Sequence, residues 1–254
     1  MNDCRIITTL LLSKNGFIKT KRFNYYRYIG DPINTLRILN DQEAQEIIIL
    51  DVDKKNNNQD IDIEYLKKIT SECFSPLSYG GGIKTLDDVK KILKCGFEKI
   101  VFNNNLYKNL NLIKSTINET GSQSVVACID YVSSSRLLYK NFNNGKNFKN
   151  YSLEDMCKYS EDIGVGEILL QAVDRDGTFL GLDFETYEKI SNSVNIPVII
   201  SGGCNGHKDI KLAFKKRVHG ISASSSFIFS DRGQGVLINY PNSKEIESFQ
   251  INYE

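Results

Sequence analysis

The sequence predicts an α/β protein, a (β/α)8 or TIM barrel built from two half-barrel repeats, and three observations carry that expectation. Eight short apolar runs alternate with amphipathic stretches. Most runs are continuously rich in Ile, Val and Leu, the pattern of strands buried on both faces of a parallel sheet. The chain also repeats itself weakly: Glu46-Ile47-Ile48-Ile49-Leu50 matches Glu167-Ile168-Leu169-Leu170, Pro76 to Gly81 matches Pro197 to Gly202, and Asn104 falls on Ser225 at the same offset.

The runs cover 5–12, 47–52, 76–79, 99–102, 124–130, 167–172, 196–201 and 220–223. Between them, 87–94 has apolar residues at 89, 92 and 93, acids early and lysines late, and Gly96 follows as a helix stop. Residues 153–163 read the same way, with Gly164 after them. A half-barrel alone leaves open sheet edges, so one domain over 1–254 is expected, with halves of about 1–122 and 123–254. Residues 131–151, with Ser, Asn, Gly, Lys and aromatics, read as a loop with a short hairpin around Asn144-Gly145. Residues 14–30, with five aromatics, read as a second loop over the active face.

The composition narrows the function. Thirty-two basic against 31 acidic residues in 254 give a net charge of +1, which offers no footprint for nucleic acid. No apolar run reaches the roughly 18 residues of a membrane span. The stretch 6–12 is too short for a signal peptide and lacks a small-residue cleavage site. Six cysteines form no CxxC pair, and there are two histidines, His207 and His219. Neither a metal site nor a cofactor is expected, and scattered thiols fit a cytoplasmic protein.

In such a barrel the active site lies at the C-terminal ends of the strands. Gly80-Gly81-Gly82 follows the third run and Ser201-Gly202-Gly203 the seventh; glycines let backbone N–H groups approach an anion. Asn103-Asn104 follows the fourth run and Ser224-Ser225-Ser226 the eighth, short polar side chains suited to phosphate oxygens. A single glycine pair would read as an ordinary tight turn, but two copies in a repeated frame imply two phosphate cradles across one mouth. Carboxylates are the third feature: Asp51, Asp130 and Asp174-Arg175-Asp176-Gly177-Thr178 end or follow strands. A carboxylate there serves as general acid or base where burial raises its pKa. Asp174 also fits a turn or cap, and 176–178 fits the cap of a helix.

Arg5-Ile6-Ile7, Gly30-Asp31-Pro32, Leu50-Asp51, Gly80 to Ile83, Ala127 to Asp130, Gly121-Ser122-Gln123, Asp174 to Thr178 and Asn195 to Gly203 resemble the cyclase subunit (HisF) family of imidazole glycerol phosphate synthase over nearly the whole chain. In that family the barrel takes ammonia from a glutaminase subunit. It joins the ammonia to a bisphosphate ribulosyl substrate, giving imidazole glycerol phosphate and an aminoimidazole ribotide. By this resemblance Asp130 matches the general acid and Lys19 a loop lysine near substrate. Gly82, Asn103, Asp176, Gly177, Gly203 and Ser225 match phosphate positions; Asp51 and Asn104, read from their places at strand ends, join them as candidate substrate-binding residues. Arg5, Glu46, Lys99 and Glu167 match a ring of charges that gates ammonia at the bottom of the barrel. Such a ring costs desolvation and is a poor way to gain stability, which favours a channel role. Glu98 matches an acid facing the glutaminase.

One departure weighs more than the matches. The family's first strand ends Cys-Leu-Asp-Val, and its aspartate is the general base. Here the stretch is Thr9-Leu10-Leu11-Leu12, so Leu11 stands in place of the carboxylate. Gln171 and Ala172 replace a threonine and a serine. The resemblance therefore implies a HisF-like subunit that receives ammonia from a HisH-like glutaminase in a heterodimer, serving a specialised pathway such as sugar amidination in surface-glycan synthesis, beside a sugar amidotransferase. Two alternatives stay open: a true cyclase of histidine biosynthesis using another group as base, and a non-catalytic scaffold that activates a glutaminase.

Overall fold

A computed structural model describes residues 4–53, 60–139, 151–230 and 235–251, the side chains of the last two excepted. Eight parallel strands close on themselves in the order β1 (Arg5–Ser13), β4 (Glu46–Asp51), β5 (Leu77–Gly80), β6 (Lys99–Phe102), β7 (Val125–Val132), β9 (Glu167–Ala172), β10 (Val198–Ser201) and β11 (Gly220–Ala223). β11 returns to β1 through Arg5↔Gly220 to Thr8↔Ala223, which seals the barrel. The eight apolar runs are these eight strands, with ends shifted by up to two residues.

Helices follow the strands, and their caps explain their starts. Helix α1 (Leu86–Lys94) opens on a capping box of Thr85 and Asp88, and α2 (Leu153–Asp162) on one of Ser152 and Asp155. Each box satisfies backbone donors that the first turn leaves unpaired. Past these two helices Gly96 and Gly164 hold positive φ.

Strand parity divides the core. Ile6, Leu10, Ile47 and Ile49 pack outward into the large core beneath the helices. Ile7, Ile48, Val101, Val126, Cys128, Leu169 and Ile199 point inward and form a separate aliphatic cluster inside the barrel. A side-chain period of two puts Arg5, Thr9 and Leu11 on the inner side with Ile7.

The reading of 14–30 as a loop is corrected. Strands β2 (Gly16–Lys21) and β3 (Asn24–Gly30) form an antiparallel hairpin on the upper end of β1. Its two-residue turn is Arg22-Phe23, with φ of 52° and 60°. Such a turn favours Asn-Gly, so the sequence carried no turn signal. After β7 the chain turns through residues 133–136 into a short antiparallel strand β8 (Leu137–Leu138). The hairpin expected around Asn144-Gly145 lies outside the described residues. Residues 176–178 cap no helix; Asp183 is the N-cap of α3 (Phe184–Ser191). Among the described residues no helix is long and apolar enough to cross a membrane.

Candidate functional site

Two polar sites occupy opposite ends of the barrel, separated by the inner aliphatic cluster. At the N-terminal end Arg5, Glu46, Lys99 and Glu167 form a closed ring. Arg5 bonds Glu46 at 2.9 Å and also bonds Glu167; Lys99 bonds Glu46 at 2.9 Å and Glu167 at 3.3 Å. Each cation thus bridges both anions. The glutamates are buried, while the Arg5 and Lys99 side chains keep 33% and 21% exposure toward the bottom face. Burial opposes the charge on Arg5, but Glu167 and Glu46 outweigh it and hold the guanidinium more firmly protonated. Glu98, the residue before β6 and next to the ring's Lys99, is exposed.

At the C-terminal end a cavity of about 750 Å³ opens. Lys19, Asp51, Gly82, Asn103, Asn104, Asp130, Asp176, Gly177, Gly203 and Ser225 line it, whereas Asp174 and Ser226 do not. Leu11 lines it as well. The strands bring Asp130 in from β7 and Gln171 beside it from β9, paired in register. Asp130 is buried, and the Cys128 thiol donates toward its Oδ1 at 3.8 Å. Burial, then the Asp130 charge, pushes that thiol well above its ordinary pKa, so it is not a ready nucleophile.

The repeat is visible in backbone detail. Gly81 has φ +118°, and a Cβ there would sit 2.2 Å from the Asp51 carbonyl oxygen; Gly202 has φ +99°, and its Cβ would sit 2.4 Å from that of Ala172. No L-residue fits either place. Around the two turns, polar atoms stand without partners. Asn103 Oδ1, Asn104 Oδ1, Ser224 Oγ and Ser225 Oγ are buried and accept or donate no hydrogen bond. Asn103 donates its amide to the Cys128 carbonyl at 3.1 Å, which fixes the side chain's orientation. Native proteins rarely leave such atoms unpaired unless a ligand or water meets them.

Other groups at the mouth are already partnered. Lys19 Nζ donates to Asp176 Oδ1 at 2.7 Å and Thr20 Oγ1 to Asp176 Oδ2 at 2.9 Å, both buried. Asp176 therefore anchors the β2–β3 hairpin and approaches a ligand only with Lys19 beside it. Asp51 accepts from the Tyr79 hydroxyl at 3.3 Å; burial, then Asp51, raises the Tyr79 pKa. Asp174 is absent from the cavity wall. It accepts from Ser133 N and Ser133 Oγ, each at 2.8 Å. Burial works against its charge, yet these bonds prevail and its carboxyl is held below the usual range. Its turn role is the one realised.

Sequence reading missed a polar layer between cavity and aliphatic cluster. Thr9 and Ser222 share a hydrogen bond across strands, and Ser201 Oγ donates to Gln171 Oε1 at 2.7 Å. Stepping by two from Arg5 through Ile7 reaches Thr9, and from Asp130 back reaches Cys128, so strand parity held the signal. Among the described residues no cluster of three or more His, Cys, Asp or Glu side chains could hold a metal ion.

The profile of a family described as "Histidine biosynthesis protein" matches residues 5–232. The chain is 38% identical over 247 residues to a Leptospira borgpetersenii protein provisionally named imidazole glycerol phosphate synthase subunit HisF, covering 96% of this chain and 97% of the relative. It is 38% identical over 245 residues to a Pseudomonas aeruginosa protein provisionally named subunit hisF2, with 96% and 98% covered. It is 36% identical over 211 residues to the Alkaliphilus metalliredigens subunit HisF, with 83% and 84% covered.

Proposed function

Because the chain belongs to the histidine biosynthesis protein family, we propose that it is a HisF-like synthase subunit that receives ammonia from a HisH-like glutaminase and passes it through the barrel for a specialised amidination pathway. The whole chain acts as one barrel domain. Its halves, about 1–122 and 123–254, each supply one anion cradle at the mouth.

One observation carries the specialised reading: Leu11 lines the same cavity as Asp130. An aliphatic side chain moves no proton, and losing a general acid or base costs about 10²–10⁴-fold in rate. The closed ring supports the conduit. Four buried or half-buried charges of alternating sign stabilise a barrel poorly compared with apolar packing, whereas two cations bridging two anions can part to admit a small polar molecule. The bottom face supports a glutaminase partner, since Phe74, in the loop before β5, is 90% exposed and Glu98, just before β6, is exposed as well. The unpaired Ser224 and Ser225 hydroxyls support a phosphorylated ligand at the mouth.

A second reading, a true cyclase, draws on Asp51. Its carboxylate lines the cavity and would have to replace the lost base. One experiment divides the two. The purified chain is given the bisphosphate substrate and ammonia, with and without glutaminase, and its gene is tested in a histidine auxotroph. No turnover and no rescue are expected. Turnover at the rate of a cyclase with both carboxylates would overturn the specialised reading.

A further inference from the structure

The β2–β3 hairpin carries more exposed aromatic surface than the cavity uses. Tyr25, Tyr26 and Tyr28 are 84%, 70% and 56% exposed, and of the three only Tyr26 lines the cavity. Residues 14–30 contain Lys14, Lys19, Lys21, Arg22 and Arg27 and no acid. Lys19 is committed to Asp176, while the other four are exposed. Strand β3 pairs with β2 alone, so its outer edge has no strand partner among the described residues. Exposed edges are ordinarily blunted. This one presents tyrosine and arginine, the residue types that dominate protein–protein hot spots.

The hairpin is held in place. Lys19 and Thr20 bond Asp176, Arg22 N donates to the Asp176 carbonyl at 2.9 Å, and Arg22 Nε donates to the Asp174 carbonyl at 3.0 Å. A surface anchored this way loses little freedom on binding. The apolar rim continues around the same mouth through Leu137 and Leu180, 56% and 66% exposed. Phe23 packs edge-on against Tyr139 at 5.8 Å, joining the hairpin to the segment after β8.

The charge selects the occupant. A small anion in the cavity would not reach Tyr25 or Tyr28, which lie outside its wall. A nucleic acid calls for a strongly basic protein, and the net charge here is +1. A protein with an acidic face fits a basic, tyrosine-rich surface. We propose that the β2–β3 hairpin is the docking surface for the enzyme that consumes the ammonia, whose acidic face seats on Tyr25, Tyr28 and the surrounding cations over the barrel outlet. The proposal rests on the conduit reading above.

The test has two stages. A photo-crosslinking residue at position 25 of the full chain, in its native host, identifies the neighbour, which is then purified with the chain and its glutaminase. Amidation is driven either by glutamine or by ammonium chloride, in the parent complex, in Tyr25→Ala/Tyr28→Ala and in Lys21→Glu. All variants are first checked for parental thermal unfolding. The expected result is a crosslinked ammonia-consuming enzyme, and a loss of about tenfold or more in glutamine-driven amidation, the scale of a lost hot spot, with the ammonium-driven rate unchanged. Equal glutamine-driven rates in parent and variants overturn the docking surface while leaving the conduit standing. A crosslink only to the glutaminase, a second copy or a nucleic acid overturns it too. No glutamine-driven amidation in the parent complex removes the conduit and the proposal with it.

Discussion

At the bottom of the barrel every charge of the ring finds its partner inside the protein, whereas at the mouth buried oxygens are left with none. The ring closes through four ion pairs between two cations and two anions. The mouth leaves Asn103, Asn104, Ser224 and Ser225 with unpaired buried oxygens. The difference teaches where each end draws its stability. The bottom is a coupled set, and removing one member leaves an uncompensated charge. The mouth holds buried groups whose hydrogen bonds nothing inside the protein supplies. Mutations at the two ends should therefore move stability in opposite directions.

The largest effects test that contrast at Leu11, which lines the mouth. Leu11→Asp should raise cyclase turnover of the bisphosphate substrate, up to the 10²–10⁴-fold that a positioned acid or base contributes, and single-turnover kinetics would show it. A parent that already turns over at a full rate removes the reason for the gain. At the bottom, Lys99→Ala leaves Glu46 and Glu167 with Arg5 alone. It should lower the unfolding free energy by about 3 kcal/mol, the low end for breaking a buried pair because Lys99 is part-exposed. Denaturant midpoints measure that. In the complex, glutamine hydrolysis should also outrun product formation; an unchanged ratio in the folded variant would make the ring structural.

Smaller effects sharpen the comparison. Ser225→Ala removes an unpaired buried hydroxyl, so the ligand-free protein should gain up to about 1 kcal/mol while its affinity for phosphate-bearing ligands falls. Calorimetric titration and thermal unfolding together read both signs, and a loss of stability would mean the hydroxyl is satisfied. The smallest effect belongs to His219, near the ring. Burial, then Arg5, lowers its pKa, against a weaker pull from Glu167. A lowered histidine binds its proton more readily when unfolded. Its stabilising share is present above pH 6.5 and is lost as the pH falls from there through the folded value. His219→Gln should flatten that slope in unfolding curves recorded from pH 6.5 downward.

Much of this was legible in the chain. The eight strands follow from apolar runs without polar alternation, because strands buried on both faces need no wet side. The capped helices were marked by acids early and glycines late. The mouth residues were found because strand ends of a parallel barrel converge. The hairpin was illegible, since Arg22-Phe23 takes a turn conformation that its residue types do not advertise. The Asp174 role was ambiguous because partners at Ser133, forty-one positions away, decided it.

The sequence by itself determined the closed barrel, the repeated glycine turns and the absence of a carboxylate at position 11, all properties of periodicity and residue type. Only the tertiary structure decided which groups are satisfied. The same lysine can be a free ligand-binding cation or, as Lys19 is, the buried partner of Asp176. The same serine hydroxyl can cap a helix or stand unpaired beside a cavity, as Ser225 does. Pairing depends on distance and burial across the fold, and neither is written in local order along the chain.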